Sequence, residues 1–99
     1  MPEVKTISGQ VNANGSVGIE GSFNSNRTGT GLYTVNFNNN VFTSEPIIVV
    51  TVITDGESST YTACASIHDA SPNGFSLSVQ NLSGKSKDFP FNFIATSAQ

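Results

Sequence analysis

Few side chains in this sequence could do chemistry. His68 is its single histidine and Cys64 its single cysteine, so a catalytic centre would have to be assembled around one of them or around carboxylates. Catalysis needs a base or nucleophile held beside a partner that tunes it. His68 precedes Asp69, but neighbours along a regular strand point to opposite faces, so their spacing makes no orienting pair. His68 therefore reads as a surface histidine at the end of a strand. Asp55 and Glu57 are the only close acidic pair. Paired carboxylates can do acid–base work, yet these two flank Gly56, where Asp and Gly serve the turn, and the oxygen ligands of a calcium loop do not follow. Cys64, between Ala63 and Ala65, is expected to be a small core filler, and one cysteine allows neither an internal disulfide nor a thiolate metal cluster. Thr28-Gly29-Thr30-Gly31 is rich in glycine but lacks the lysine of a phosphate loop and has no helix after it. No enzyme, metal or cofactor is expected.

Binding remains. Shallow sugar sites exchange hydrogen bonds with hydroxyls through amides, carboxylates, cations and backbone groups, with an aromatic ring for the apolar side of the sugar. The loops hold such residues: Tyr61, Asn81, Lys85, Lys87 and Asp88 are the candidate carbohydrate contacts, with Arg27 in an earlier loop.

The elements that must position these residues are strands. Ser, Thr and Asn form roughly a third of the chain, and no helical period is present. Phe42 to Ile53 is the organising stretch, a β-branched run entered after Pro46 and left through Thr54-Asp55-Gly56. Ile47, Val49 and Ile53 point one way and Ile48, Val50 and Val52 the other, so both faces are apolar. The second face needs cover, and another copy of the same chain is the expected source. Residues 8–13 and 16–23 read as a hairpin about Asn14-Gly15, a pair that favours a type I′ turn, and its many glycines are expected to let it lie against a neighbouring subunit. Residues 24–31 read as a polar loop. Strands are expected at 32–37, with Tyr33, Val35 and Phe37 on one face, and at 60–67. After the turn Ser71-Pro72-Asn73-Gly74, another runs over 75–81, with Phe75, Leu77 and Val79 inward. The last spans 88–96, with Phe89, Phe91, Phe93 and Ala95 on one face and Pro90 confining it to a sheet edge. The fold class is thus all-β, a single small antiparallel sandwich of six to seven strands over residues 1–99.

A net charge of −3 and a pI near 4.7 argue against nucleic acid, because counterion release needs clustered cations and the only ones are Lys5, Arg27, Lys85 and Lys87. Lys85 and Lys87 read as a solvated turn. The first residues do not form a signal peptide and no stretch has the length of a membrane span, so a soluble chain without membrane insertion is expected.

Val35-Asn36-Phe37, the run from Phe42 to Val50, Ala63-Cys64-Ala65-Ser66-Ile67, Asn73-Gly74-Phe75-Ser76-Leu77-Ser78-Val79 and Phe91-Asn92-Phe93-Ile94-Ala95 resemble the H-type lectin domain. This resemblance, over residues 32–96, implies a six-stranded sandwich that forms trimers or stacked hexamers and binds N-acetylgalactosamine-like sugars in clefts between protomers. It places the cleft loop at residues 81–88. Residues 1–31, a glycine-rich hairpin and loop, are more similar to segments of phage tail-fibre tips and related bacterial trimeric β modules, above all Gly21-Ser22-Phe23 and the stretch from Arg27 to Val35. The expected function is a non-catalytic, multivalent homotrimer that recognises a glycan or a cell-surface receptor. The alternative is a purely structural trimerisation or decoration unit that binds only protein.

Overall fold

The computed structural model describes residues 4–19, 23–38, 42–53, 63–81 and 84–98. They form eight strands and no helix: β1 Val4–Val11, β2 Val17–Ile19, β3 Phe23–Gly29, β4 Leu32–Phe37, β5 Ile47–Val52, β6 Ala63–Ser71, β7 Gly74–Asn81 and β8 Phe91–Ala98. Two four-stranded antiparallel sheets, ordered β2-β1-β8-β5 and β3-β4-β7-β6, pack as the expected sandwich. The eighth strand beyond the expected number is β3, which falls where a loop is expected, and β2 shortens the expected 16–23 strand to three residues.

The core is where the alternating patterns placed it. Tyr33, Val35 and Phe37 of β4 and Phe75, Leu77 and Val79 of β7 are buried against Phe91, Phe93 and Ala95 of β8, with Ile7, Val11, Phe23 and Phe42 closing the sides. Phe93 stands edge-on to Phe23 at 4.9 Å and to Phe75 at 5.4 Å, a geometry that places positive ring edges over negative faces.

Several expectations need correction. Residues 24–29 are strand, not loop: β3 pairs with β4 from Phe23↔Phe37 to Gly29↔Leu32. Beyond Phe23 its inner face carries polar groups satisfied from afar, Ser25 Oγ donating to the Gly15 carbonyl (2.7 Å) and Arg27 reaching Asp88. β8 is interior to its sheet, not at an edge. Pro90 precedes its first residue and so removes no ladder donor, and the Pro90 carbonyl accepts the Ile53 N–H at 2.9 Å. Cys64 is exposed, because Ala63 and Ala65 take the inward phase of β6. The first hairpin turns through Ala13-Asn14-Gly15 with Gly15 N–H on the Asn12 carbonyl (2.8 Å). Gly15 alone has positive φ there, +92°, so this is a three-residue loop of the bulged kind rather than a type I′ turn. The space left open at Gly9 is filled within the chain by the Phe23 ring.

The organising stretch becomes β5, an edge strand paired with β8. Ile48, Val50 and Val52 pack on the core, while Ile47 and Val49 stay 70% and 59% exposed on the outer face. Val49 lies opposite Ile94 of β8, itself 50% exposed, and Ile94 lies opposite Ser8 of β1. Opposed residues in an antiparallel pair share a face, so Ile47, Val49 and Ile94 form an apolar strip over the β5–β8 side of this sheet, bounded at β1 by Ser8.

Candidate functional site

The other sheet has a different outer face. Asn24, Asn26 and Thr28 of β3, Thr34 and Asn36 of β4, Ser76 and Ser78 of β7, and Ser66 and His68 of β6 occupy outward positions together with exposed Leu32 and Cys64, a surface mainly of hydroxyls and amides. At the end where β6 turns into β7 this surface dips into an open groove of about 280 Å³, lined by Thr34, Asn36, Asp69, Ser71, Asn73 and Ser76, with Gly74 and Phe75.

Two local features build it. The first is the turn between β6 and β7, in which Ser71 Oγ accepts the Asn73 N–H at 3.1 Å and the Asn73 carbonyl accepts the Phe37 N–H at 2.9 Å. Gly74 lies so close to β4 that a Cβ there would overlap the Val35 carbonyl, and its φ of +155° suits glycine. The second is a bulge. His68 pairs with Ser76 and Ser71 with Gly74, leaving Asp69 and Ala70 opposite Phe75. Asp69 absorbs the extra residue with φ +52°, the left-handed conformation that Asp tolerates better than most side chains. The slip carries Asp69 onto the groove, where Oδ2 lies 3.4 Å from Ser76 Oγ, which donates to the His68 carbonyl at 3.2 Å. Strict alternation separates His68 from Asp69; the bulge puts both on the outer face.

His68 Nε2 is 3.1 Å from Ser78 Oγ. A serine against an imidazole is part of a hydrolytic arrangement, but His68 has no carboxylate on its other nitrogen among the described residues, so no group fixes its tautomer for base catalysis. Among the described residues no three His, Cys, Asp or Glu side chains come together as metal ligands.

The sequence candidates lie elsewhere. Tyr61 falls outside the described residues, as do Asp55 and Glu57. Asn81 ends β7 and shapes the following turn: its Oδ1 accepts the Lys85 N–H (3.0 Å), its own N–H donates to the Lys85 carbonyl (2.9 Å), and its carbonyl accepts the Gly84 N–H (3.0 Å). Lys85 and Lys87 are exposed, as a solvated turn requires, and the Lys87 N–H bonds the Val79 carbonyl at 3.2 Å. Asp88 is used inside the fold. Its Oδ2 accepts Arg27 Nε and Nη2, both at 2.9 Å, and its Oδ1 accepts the Gly31 N–H at 2.7 Å. The Tyr33 hydroxyl donates to the Ala13 carbonyl at 2.7 Å and stands 3.4 Å from Asp88 Oδ1. The hydrogen bond from Arg27, helped by the Gly31 N–H, holds the Asp88 carboxyl below the usual carboxylate range. Burial, reinforced by the Asp88 charge, pushes the Tyr33 phenol up to about 12. Among the described residues of the 81–88 stretch, Asn81 and Asp88 serve the fold.

The groove escaped sequence reasoning because it depends on the bulge. The turn at Ser71-Pro72-Asn73-Gly74 was legible; the extra residue beside it was not. No protein-family model, curated protein or solved structure matches the chain.

Proposed function

We propose that this chain is a non-catalytic recognition module that works as a homotrimer and engages a carbohydrate or another cell-surface receptor. The observation that carries this reading is the contrast between the two outer faces. One sheet exposes Ile47, Val49 and Ile94 side by side, an apolar strip of the kind used for association. The other exposes hydroxyls and amides around an open groove, a surface that can trade hydrogen bonds with a polyhydroxylated ligand. The resemblance to H-type lectins favours three copies, possible stacking into hexamers, and sugar contacts from Tyr61, Asn81, Lys85, Lys87 and Asp88 at the protomer boundary. Joining three weak sites raises avidity on a dense glycan surface without any new contact.

The structural alternative, a trimerisation or decoration unit of a fibre or capsid that binds only protein, is favoured by one observation. Asp88 and Asn81, two of the candidate contacts in the 81–88 stretch, are already engaged within the chain. Light scattering followed by a glycan array on the intact assembly separates the readings. A trimer with glycan signal supports recognition, a trimer silent on all sugars supports the structural unit, and a stable lone chain of 10.4 kDa overturns both.

A further inference from the structure

We propose that the open groove beside the β6 bulge is a binding site for a neutral, polyhydroxylated ligand the size of one sugar ring, held by Asp69 and Asn36. This inference rests on the recognition reading and gives it a location away from the 81–88 loop.

Four observations converge. The groove, at about 280 Å³, falls just below the range of drug-sized ligand pockets, which run from about 300 Å³ upward, so it suits nothing larger than a single ring. The side chains of Thr34, Asn36 and Asn73 have no hydrogen-bond partner among the described residues, and they offer both donors and acceptors to a ligand whose hydroxyls do both. Asp69 adds the one charged group in the lining, an acceptor that can take two O–H donors from adjacent ligand hydroxyls. Its placement requires a bulge and a left-handed backbone at a residue other than glycine, and bulges are a recurrent means of re-aiming a side chain at a site.

The same features define the class. A carboxylate in the groove of a chain with net charge −3 disfavours sialylated, sulfated or phosphorylated ligands. A bound metal ion would need further carboxylates than Asp69 alone. The Phe75 ring is buried against Phe37 and Phe93, so no aromatic face is offered for stacking, and discrimination falls on the directions of the ligand hydroxyls.

The test is a ¹⁵N–¹H correlation titration of the full chain with methyl α-glucoside, methyl α-mannoside and methyl β-galactoside, with N-acetylneuraminic acid as the anionic probe. The expected result is saturable shifts at the amides of Asn36, Asp69, Asn73 and Ser76 with at least one neutral glycoside, and none with the acid. Asp69→Asn keeps the side-chain shape and tolerates the left-handed backbone. It should weaken that binding about tenfold or more, the equivalent of one charge-assisted hydrogen bond, with spectral dispersion unchanged. Asn36→Ala, at an exposed strand position, provides the same reading should Asp69→Asn disturb the bulge. Shifts confined to residues 81–88 would overturn this site and leave sugar recognition standing. Shifts in the groove with N-acetylneuraminic acid would overturn the ligand class, and silence toward every sugar by the intact assembly would remove the site and the recognition reading together.

Discussion

Arg27 and Asp88, 61 residues apart in sequence, form a two-pronged ion pair in which both guanidinium contacts fall on one carboxylate oxygen at 2.9 Å. The other oxygen takes the Gly31 N–H. The pair therefore pins the segment ahead of β8 to the turn between β3 and β4, joining the two sheets at one end of the sandwich.

That geometry sets an acid limit. Because the folded-state pKa of Asp88 is depressed, its contribution to stability is complete above the unfolded carboxylate value of about 3.9 and is lost as the pH falls through the lower folded value. Asp88→Asn should lower Tm at neutral pH, and the Tm gap to the parent should close as the pH drops below about 4. Thermal unfolding of both proteins between neutral and strongly acid pH checks this. A gap that does not change with pH would show the carboxylate charge to be irrelevant. Both side chains are about one-third exposed, so added salt should narrow the gap as well.

Tyr33 sets an alkaline counterpart. Its phenol is raised to about 12 in the folded chain, against about 10 when unfolded, so folding favours the protonated form. That stability is full below about pH 10 and declines as the pH rises toward 12. In a Tyr61→Phe variant, leaving Tyr33 as the one tyrosine, phenolate absorbance should rise near pH 12 together with unfolding. Reversible ionisation near 10 with the fold intact would contradict the burial described.

In the core, Phe93→Ala removes a ring in contact with Phe23, Phe37 and Phe75. The cavity should destabilise the chain by about 3–5 kcal/mol, measured by denaturant titration. A change below about 1 kcal/mol would contradict the packing, since that is the range of surface substitutions.

On the outer strip, Ile94→Asp and Val49→Lys test association separately from folding. Both positions are exposed, so the stability of a single chain should change little, within about 0.5 kcal/mol. The solution mass should nevertheless fall from trimer to single chain, as light scattering would show. A trimer that survives both substitutions would place its contacts elsewhere.

Much of this architecture could be read before any coordinates. β4 and β7 declare themselves because Tyr33, Val35 and Phe37, and then Phe75, Leu77 and Val79, alternate strictly with polar residues, and burial follows that alternation. The two-sided character of β5 was legible for the same reason. β3 was hidden because Ser25 and Arg27 take inward positions on the strength of bonds to Gly15 and Asp88, and a polar side chain with a distant partner leaves no periodic trace. Asp88 looked available for a ligand because its partners lie on other strands. The groove was unreadable because one extra residue between His68 and Ser71 reverses the facing of Asp69, and a slip of register depends on the pairing strand as much as on the strand itself.

The pairing of β1 with β8, from Val4↔Ala98 to Val11↔Phe91, has a consequence for how the molecule comes into being. Beyond its short hairpin partner β2, β1 waits for β8, the strand farthest from it in sequence among the eight, before its other edge is paired. Until then Val35 and Leu77 lack Phe91 and Phe93 across the core, and the nascent chain carries a greasy, half-covered layer while the strands between are made. Chaperone dependence during translation, and slow refolding from denaturant, are the costs of joining two strands so distant in sequence in one ladder.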